Sequence, residues 1–111
     1  MKTSQLTGAA LDWAVSKCWG IVWEQGDLDA GEYGPGFRPS TDWEDGGPII
    51  EKHGIHLEWS ESHEHWLAYS WDRFSNPNHH MTDGDTALIA AMRCYVASKL
   101  GDEVDVPREL T

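Results

Sequence analysis

Ile55-His56-Leu57-Glu58-Trp59-Ser60 alternates strictly between apolar and polar residues, and this run constrains the fold more than any other part of the chain. Successive side chains of a strand point to opposite faces, so the run predicts a strand with one face buried. Glu61-Ser62-His63-Glu64 supplies a polar turn, and His65 to Trp71 a second strand. Together they predict an antiparallel hairpin. Ile55, Leu57 and Trp59 are placed on a core face with Leu67, Tyr69 and Trp71. Trp66, Ala68 and Ser70 then take the other face, with His56 and Glu58. A lone hairpin is marginal in water, so helices must cover its apolar side.

Two runs supply those helices. In the first, Leu11, Val15, Cys18 and Val22 recur at helical spacing, with Thr7 as the N-cap and Gly20 as the stop. In the second, Thr86 to Leu100 runs without a breaker to Gly101, with Thr82, Asp83 or Asp85 as cap. Its buried face is Leu88, Ala91/Met92, Tyr95/Val96 and Lys99/Leu100.

The remaining segments read as connections. Ile21-Val22-Trp23 predicts a short strand. Residues 24–39 are acidic and broken by Gly34-Pro35-Gly36 and Pro39, which predicts a long exposed loop. Thr41 and Glu44 have capping-box spacing, predicting one helical turn that Gly46-Gly47 ends. Pro48 then opens a short helix to His53, closed by Gly54. Asp72 to Asp85 reads as a polar loop turning at Asn76-Pro77-Asn78. Residues 102–111 read as an extended acidic tail. With no repeats and no internal boundary, residues 1–111 form one α+β domain.

The chain carries 19 acidic and 8 basic residues, a net charge of −11. Phosphate-binding surfaces need basic groups, so direct nucleic-acid binding is not expected, nor is an anionic membrane surface. No stretch is long and apolar enough to span a bilayer, and no leader is read at the start. Cys18 and Cys94 lie in apolar helical runs and read as small buried hydrophobes. The expected compartment is the bacterial cytosol.

Seven of the 111 residues are tryptophan. An exposed Trp marks an interface, and Asp42, Trp43 and Trp66 are the candidate recognition surface. The same residues also read as structural staples. Gly46 and Gly47, before a helix start, offer backbone amides for a small anion. His53, His56, His63, His65, His79 and His80 include adjacent and His-x-His pairs, but metal-ligand spacing is missing and no metal or other cofactor is expected. Asp42, Glu44, Asp45 and Glu51 cluster as an acid–base set would, yet helix capping accounts for the first two. No catalytic residue is assigned.

Three blocks carry a resemblance: Met1 to Val15, the Pro39 to Glu51 string around Ser40-Thr41-Asp42-Trp43 and Gly46-Gly47-Pro48, and Leu88 to Arg93 with Val96 to Val104. Together they resemble the NinX-like family of small tailed-phage and prophage proteins, also described as a phage α-β-α sandwich domain. The resemblance implies a phage or prophage gene and an α+β fold, with the two long helices on opposite faces of the sheet. It implies little chemistry. The chain departs from the pattern in its long acidic 24–37 stretch and in Thr82-Asp83-Gly84-Asp85, where a Gly-Pro-Thr-Pro type of start is usual.

The expected fold is α+β, two main helices on a small antiparallel sheet. The expected function is a non-enzymatic accessory protein that binds a host or phage macromolecule in the infected cell. The partner is expected to be a protein, and a homodimer is left open. A nucleotide-like small-molecule binder is the alternative, and a metal-dependent enzyme the weakest of the three.

Overall fold

The computed structural model describes residues 1–30, 35–70 and 80–111. Trp71, the Asn76–Asn78 turn and His79 lie outside the described residues. The element order is a 3-10 turn (Thr3–Gln5), α1 (Gly8–Trp19), α2 (Gln25–Ala30), α3 (Trp43–His53), β1 (His56–Ser60), β2 (His65–Ser70), β3 (His80–Gly84), α4 (Ala87–Leu100) and a 3-10 turn (Arg108–Leu110). The class is α+β, with an antiparallel sheet in the order β1-β2-β3.

Helix α4 is the centre of the molecule. Leu88, Ala90, Ala91, Met92, Cys94, Tyr95, Val96 and Ala97 are all buried, so it has no outer face over three turns. A helix apolar all round must be covered all round. The sheet covers one side, through β2 and β3, and α1 and α3 cover another. The two long helices therefore do not flank the sheet: α1 reaches it chiefly through α4. Close approach needs small residues. A Cβ on Gly84 would sit 2.6 Å from the Ala90 nitrogen, and the Thr82 hydroxyl donates to the Ala90 carbonyl at 2.7 Å.

The hairpin forms, but its facing differs from expectation. His56 pairs with Tyr69, Leu57 with Ala68, Glu58 with Leu67, Trp59 with Trp66 and Ser60 with His65. Directly opposed residues share a face. Leu57, Trp59, Trp66 and Ala68 thus lie together, and Ala68 is fully buried. Leu67 and Tyr69 join His56 and Glu58 on the opposite face. The cause is loop length. Four residues between Ser60 and His65 pair odd positions of β1 with even positions of β2, and a one-residue slip reverses every side chain.

Other expectations are corrected. Residues 80–84 form strand β3, not loop, and Thr86 rather than Thr82, Asp83 or Asp85 caps α4, accepting from the Ile89 N–H at 3.1 Å. Residues 21–23 form no strand, and Val22 is 79% exposed instead of completing the α1 stripe. The supposed loop 24–39 contains α2, because the Asp27 carboxylate reaches back to the Glu24 N–H at 2.9 Å. Its far end is not exposed either: Pro39 is buried. The tail is not free. Val104 is buried and its N–H donates to the Met1 carbonyl at 2.9 Å. Thr3 donates to Asp102 and Gly101.

Gly46-Gly47 does not break a helix. Residues 43–53 form one continuous α3 with Pro48 inside it. Gly46, Ile49, Ile50 and His53 recur at helical spacing on the packed side, and that stripe outweighs the local breakers. Gly54, at φ +60°, ends the helix.

Candidate functional site

The Arg38–Asp42 segment is fixed from two sides. The buried Asp12 carboxylate on α1 accepts from the Ser40 N–H at 2.9 Å, and the Asp45 carboxylate on α3 accepts from the Arg38 N–H at 2.9 Å. The Arg38 carbonyl accepts from Thr41 and Asp42 and closes a tight turn. These bonds deliver Asp42 to the N-cap of α3, where its side chain accepts from the Glu44 N–H at 2.9 Å. Trp43 is then the first helical residue, and it projects outward with 56% of its surface exposed.

Burial pushes the Asp12 carboxyl above its ordinary range; hydrogen bonds from Ser40 and the charge of Arg38 pull the other way, while Asp45 adds to the rise. The balance follows from desolvation disfavouring the charged form.

Gly46 brings a second helix start to the same place. A Cβ there would lie 2.5 Å from the Pro39 carbonyl oxygen and 2.6 Å from Leu88 Cδ2. Only glycine lets the first turn of α3 close on the first turn of α4. Trp66 arrives from β2. It stands opposite Gly84 on one neighbour and opposite Trp59 on the other, whose ring meets it edge-on at 5.6 Å.

These elements leave an open groove of about 420 Å³, in which Trp43 and Trp66 face Ser40, Asp85, Thr86 and Leu88. Its volume falls in the roughly 300–1,000 Å³ range of ligand clefts. Of the five residues singled out in the sequence, the structure brings Trp43 and Trp66 to one surface. Trp66 is on the helix-covered side of the sheet, not on the face shared with His56 and Glu58. Asp42 borders the groove as the cap of α3. Gly46 is buried as a spacer, and its N–H is committed to the Asp42 carbonyl at 2.9 Å, so the expected glycine-turn anion site does not form. Gly47 follows within the helix. Asp85, Thr86 and Leu88 were not singled out. Thr86 ahead of an apolar helical run was the one local signal for them.

Among the described residues the histidines do not converge on one site. His53 packs against Tyr95 at 4.8 Å and Trp19 at 6.0 Å; burial, then Lys99 and Lys52, depress its pKa. His56 stacks on Tyr69, and His63 on His65. Among the described residues no group of three or more His, Cys, Asp or Glu could hold a metal ion. Cys18 and Cys94 are not joined in a disulfide; they are half-buried and buried, and burial raises the pKa of both thiols. No helix of the described residues is long and apolar enough to cross a membrane.

The architecture defines a small helix-on-sheet α+β protein whose open aromatic groove is framed by two helix starts. Residues 2–99 match the family model described as Bacteriophage P22, NinX, and the chain belongs to that family. It is a small phage-encoded protein. The match spans every groove residue. No curated protein matches the chain.

Proposed function

We propose that this NinX-family protein is a non-enzymatic binding module that engages a host or phage protein in the cytoplasm of the infected cell. The groove between α3 and α4 is its docking surface. The observation that carries this reading is Trp43, 56% exposed at the first turn of α3 and sharing one groove with Trp66. Large aromatic side chains left in water at the rim of a cleft dominate protein interfaces energetically. The net charge of −11 favours protein over nucleic acid as the partner. Against the nucleotide alternative, one of its phosphate donors, the Gly46 amide, is spent inside α3.

The test is comparative capture from phage-infected cells. Wild-type protein and Trp43→Ala are immobilised side by side. The substitution removes exposed surface, so its stability should stay within about 0.5 kcal/mol of wild type. We expect a specific protein retained by the wild type and lost from the variant. A partner retained equally by both would overturn the assignment of this groove.

A further inference from the structure

We infer that the partner inserts an arginine or lysine side chain into this groove; the inference rests on the docking reading above. Two helix starts meet here, Trp43 of α3 and Ala87 of α4. Each contributes roughly half a positive charge. Four carboxylates surround them: Asp42, Glu44 and Asp45 at the start of α3, and Asp85 beside the start of α4. Arg93, within electrostatic reach of Asp83 and Asp85, and Arg38, which acts on the buried Asp12 beside Asp45, offset part of this charge. Counted with the two helix starts, the six carboxylates Asp12, Asp42, Glu44, Asp45, Asp83 and Asp85 still outnumber the positive charges, and the groove is electronegative. Asp42 and Asp45 already accept backbone N–H groups, so their positions are fixed. Asp85 is exposed in the groove wall. Among the described residues no lysine or arginine lines the groove.

Aromatic faces attract cations, and this attraction adds to that of a nearby carboxylate. The protein makes such contacts elsewhere, with Lys17 Nζ 5.3 Å from the Trp13 ring centre and Lys52 Nζ 5.3 Å from that of Trp19. Trp43, Trp66 and Asp85 present the same chemistry to the outside. A guanidinium or ammonium group is the ligand whose charge, and whose preference for an indole face, both match.

The probes are tetra-arginine, tetra-lysine and tetra-citrulline peptides, titrated into the full chain and followed by the tryptophan indole N–H signals in ¹H–¹⁵N spectra. Citrulline keeps the shape of arginine without its charge. We expect both cationic peptides to move the Trp43 and Trp66 signals, and tetra-arginine to bind at least tenfold more tightly than tetra-citrulline. Tighter binding of tetra-arginine than of tetra-lysine would assign stacking of a planar guanidinium; equal binding would assign the charge. Asp85→Asn should weaken binding severalfold, whereas Glu61→Gln, which removes the same charge from the β1–β2 turn, should have little effect. Trp43→Ala should abolish the response at Trp66.

Equal binding of tetra-citrulline and tetra-arginine at the groove would overturn the cation assignment and leave the docking reading standing. Binding that leaves both indole signals unmoved, equal effects of Asp85→Asn and Glu61→Gln, or no binding at all would also overturn it. Failure of the docking reading itself would appear separately, as a captured partner indifferent to Trp43→Ala.

Discussion

At the scale of single residues, Asp12 is the group on which the site depends. It is a carboxylate on the buried side of α1, 4% exposed, and it holds the Ser40 N–H that positions the α3 cap. Burial lifts its pKa above 3.8, so the folded protein binds a proton that the unfolded chain has already released. Stability from this group is therefore greatest in acid and falls as pH climbs from 3.8 towards the raised value. Asp12→Asn keeps an oxygen acceptor for Ser40 but cannot ionise. Urea midpoints measured across pH should show the variant gaining on the wild type as pH rises above 3.8, with a constant difference well below it. A variant that loses ground to the wild type as pH rises would contradict this account of Asp12. The sequence held no sign of the role: Asp12 sits one turn into an ordinary amphipathic helix, and its partner is 28 residues away.

At the scale of elements, α3 separates what neighbouring residues dictate from what packing imposes. Gly46, Gly47 and Pro48 each disfavour a helix locally, and the segment is helical because its apolar stripe packs against α4. The two glycines have different reasons to be there. Gly46→Ala should destabilise the protein by about 1–3 kcal/mol, since the new methyl group meets Pro39 and Leu88. Gly47→Ala faces open space within 4 Å and should stabilise it by roughly 0.5–1 kcal/mol. Thermal unfolding of the two variants tests this directly, because helix propensity alone predicts the same sign for both.

The same distinction explains which elements were legible. Helices α1 and α4 and the existence of the hairpin follow from periodicity and from Gly20 and Gly101, whereas the side-chain caps do not: Thr7 makes no cap hydrogen bond and Thr86 caps α4. The register does not, because it depends on counting the four loop residues rather than on apolar alternation. Strand β3 has no alternation to read; it is an edge strand whose Gly84 and Thr82 serve contact with α4. Trp43 and Trp66 were identifiable as candidate recognition residues. Asp85, Thr86 and Leu88 reach them only through the meeting of α3 and α4, which no local pattern encodes.

At the scale of the whole molecule, one buried helix organises everything. The sheet lies on one side of α4 and two helices on another, and the start of α4 meets the start of α3. The two chain ends pair with each other at Met1–Thr3 and Asp102–Val104, away from the groove residues. The outcome is an acidic phage protein of the NinX family with two tryptophans on one open surface. Site-specific photocrosslinking in phage-infected cells tests the assignment of that surface most directly. A benzophenone amino acid replaces Trp43 in one protein and Val22, 79% exposed on the α1–α2 connection, in another. The account predicts a discrete covalent adduct from position 43 and none of the same mass from position 22. Identical adducts from both positions, or none from position 43, would contradict it.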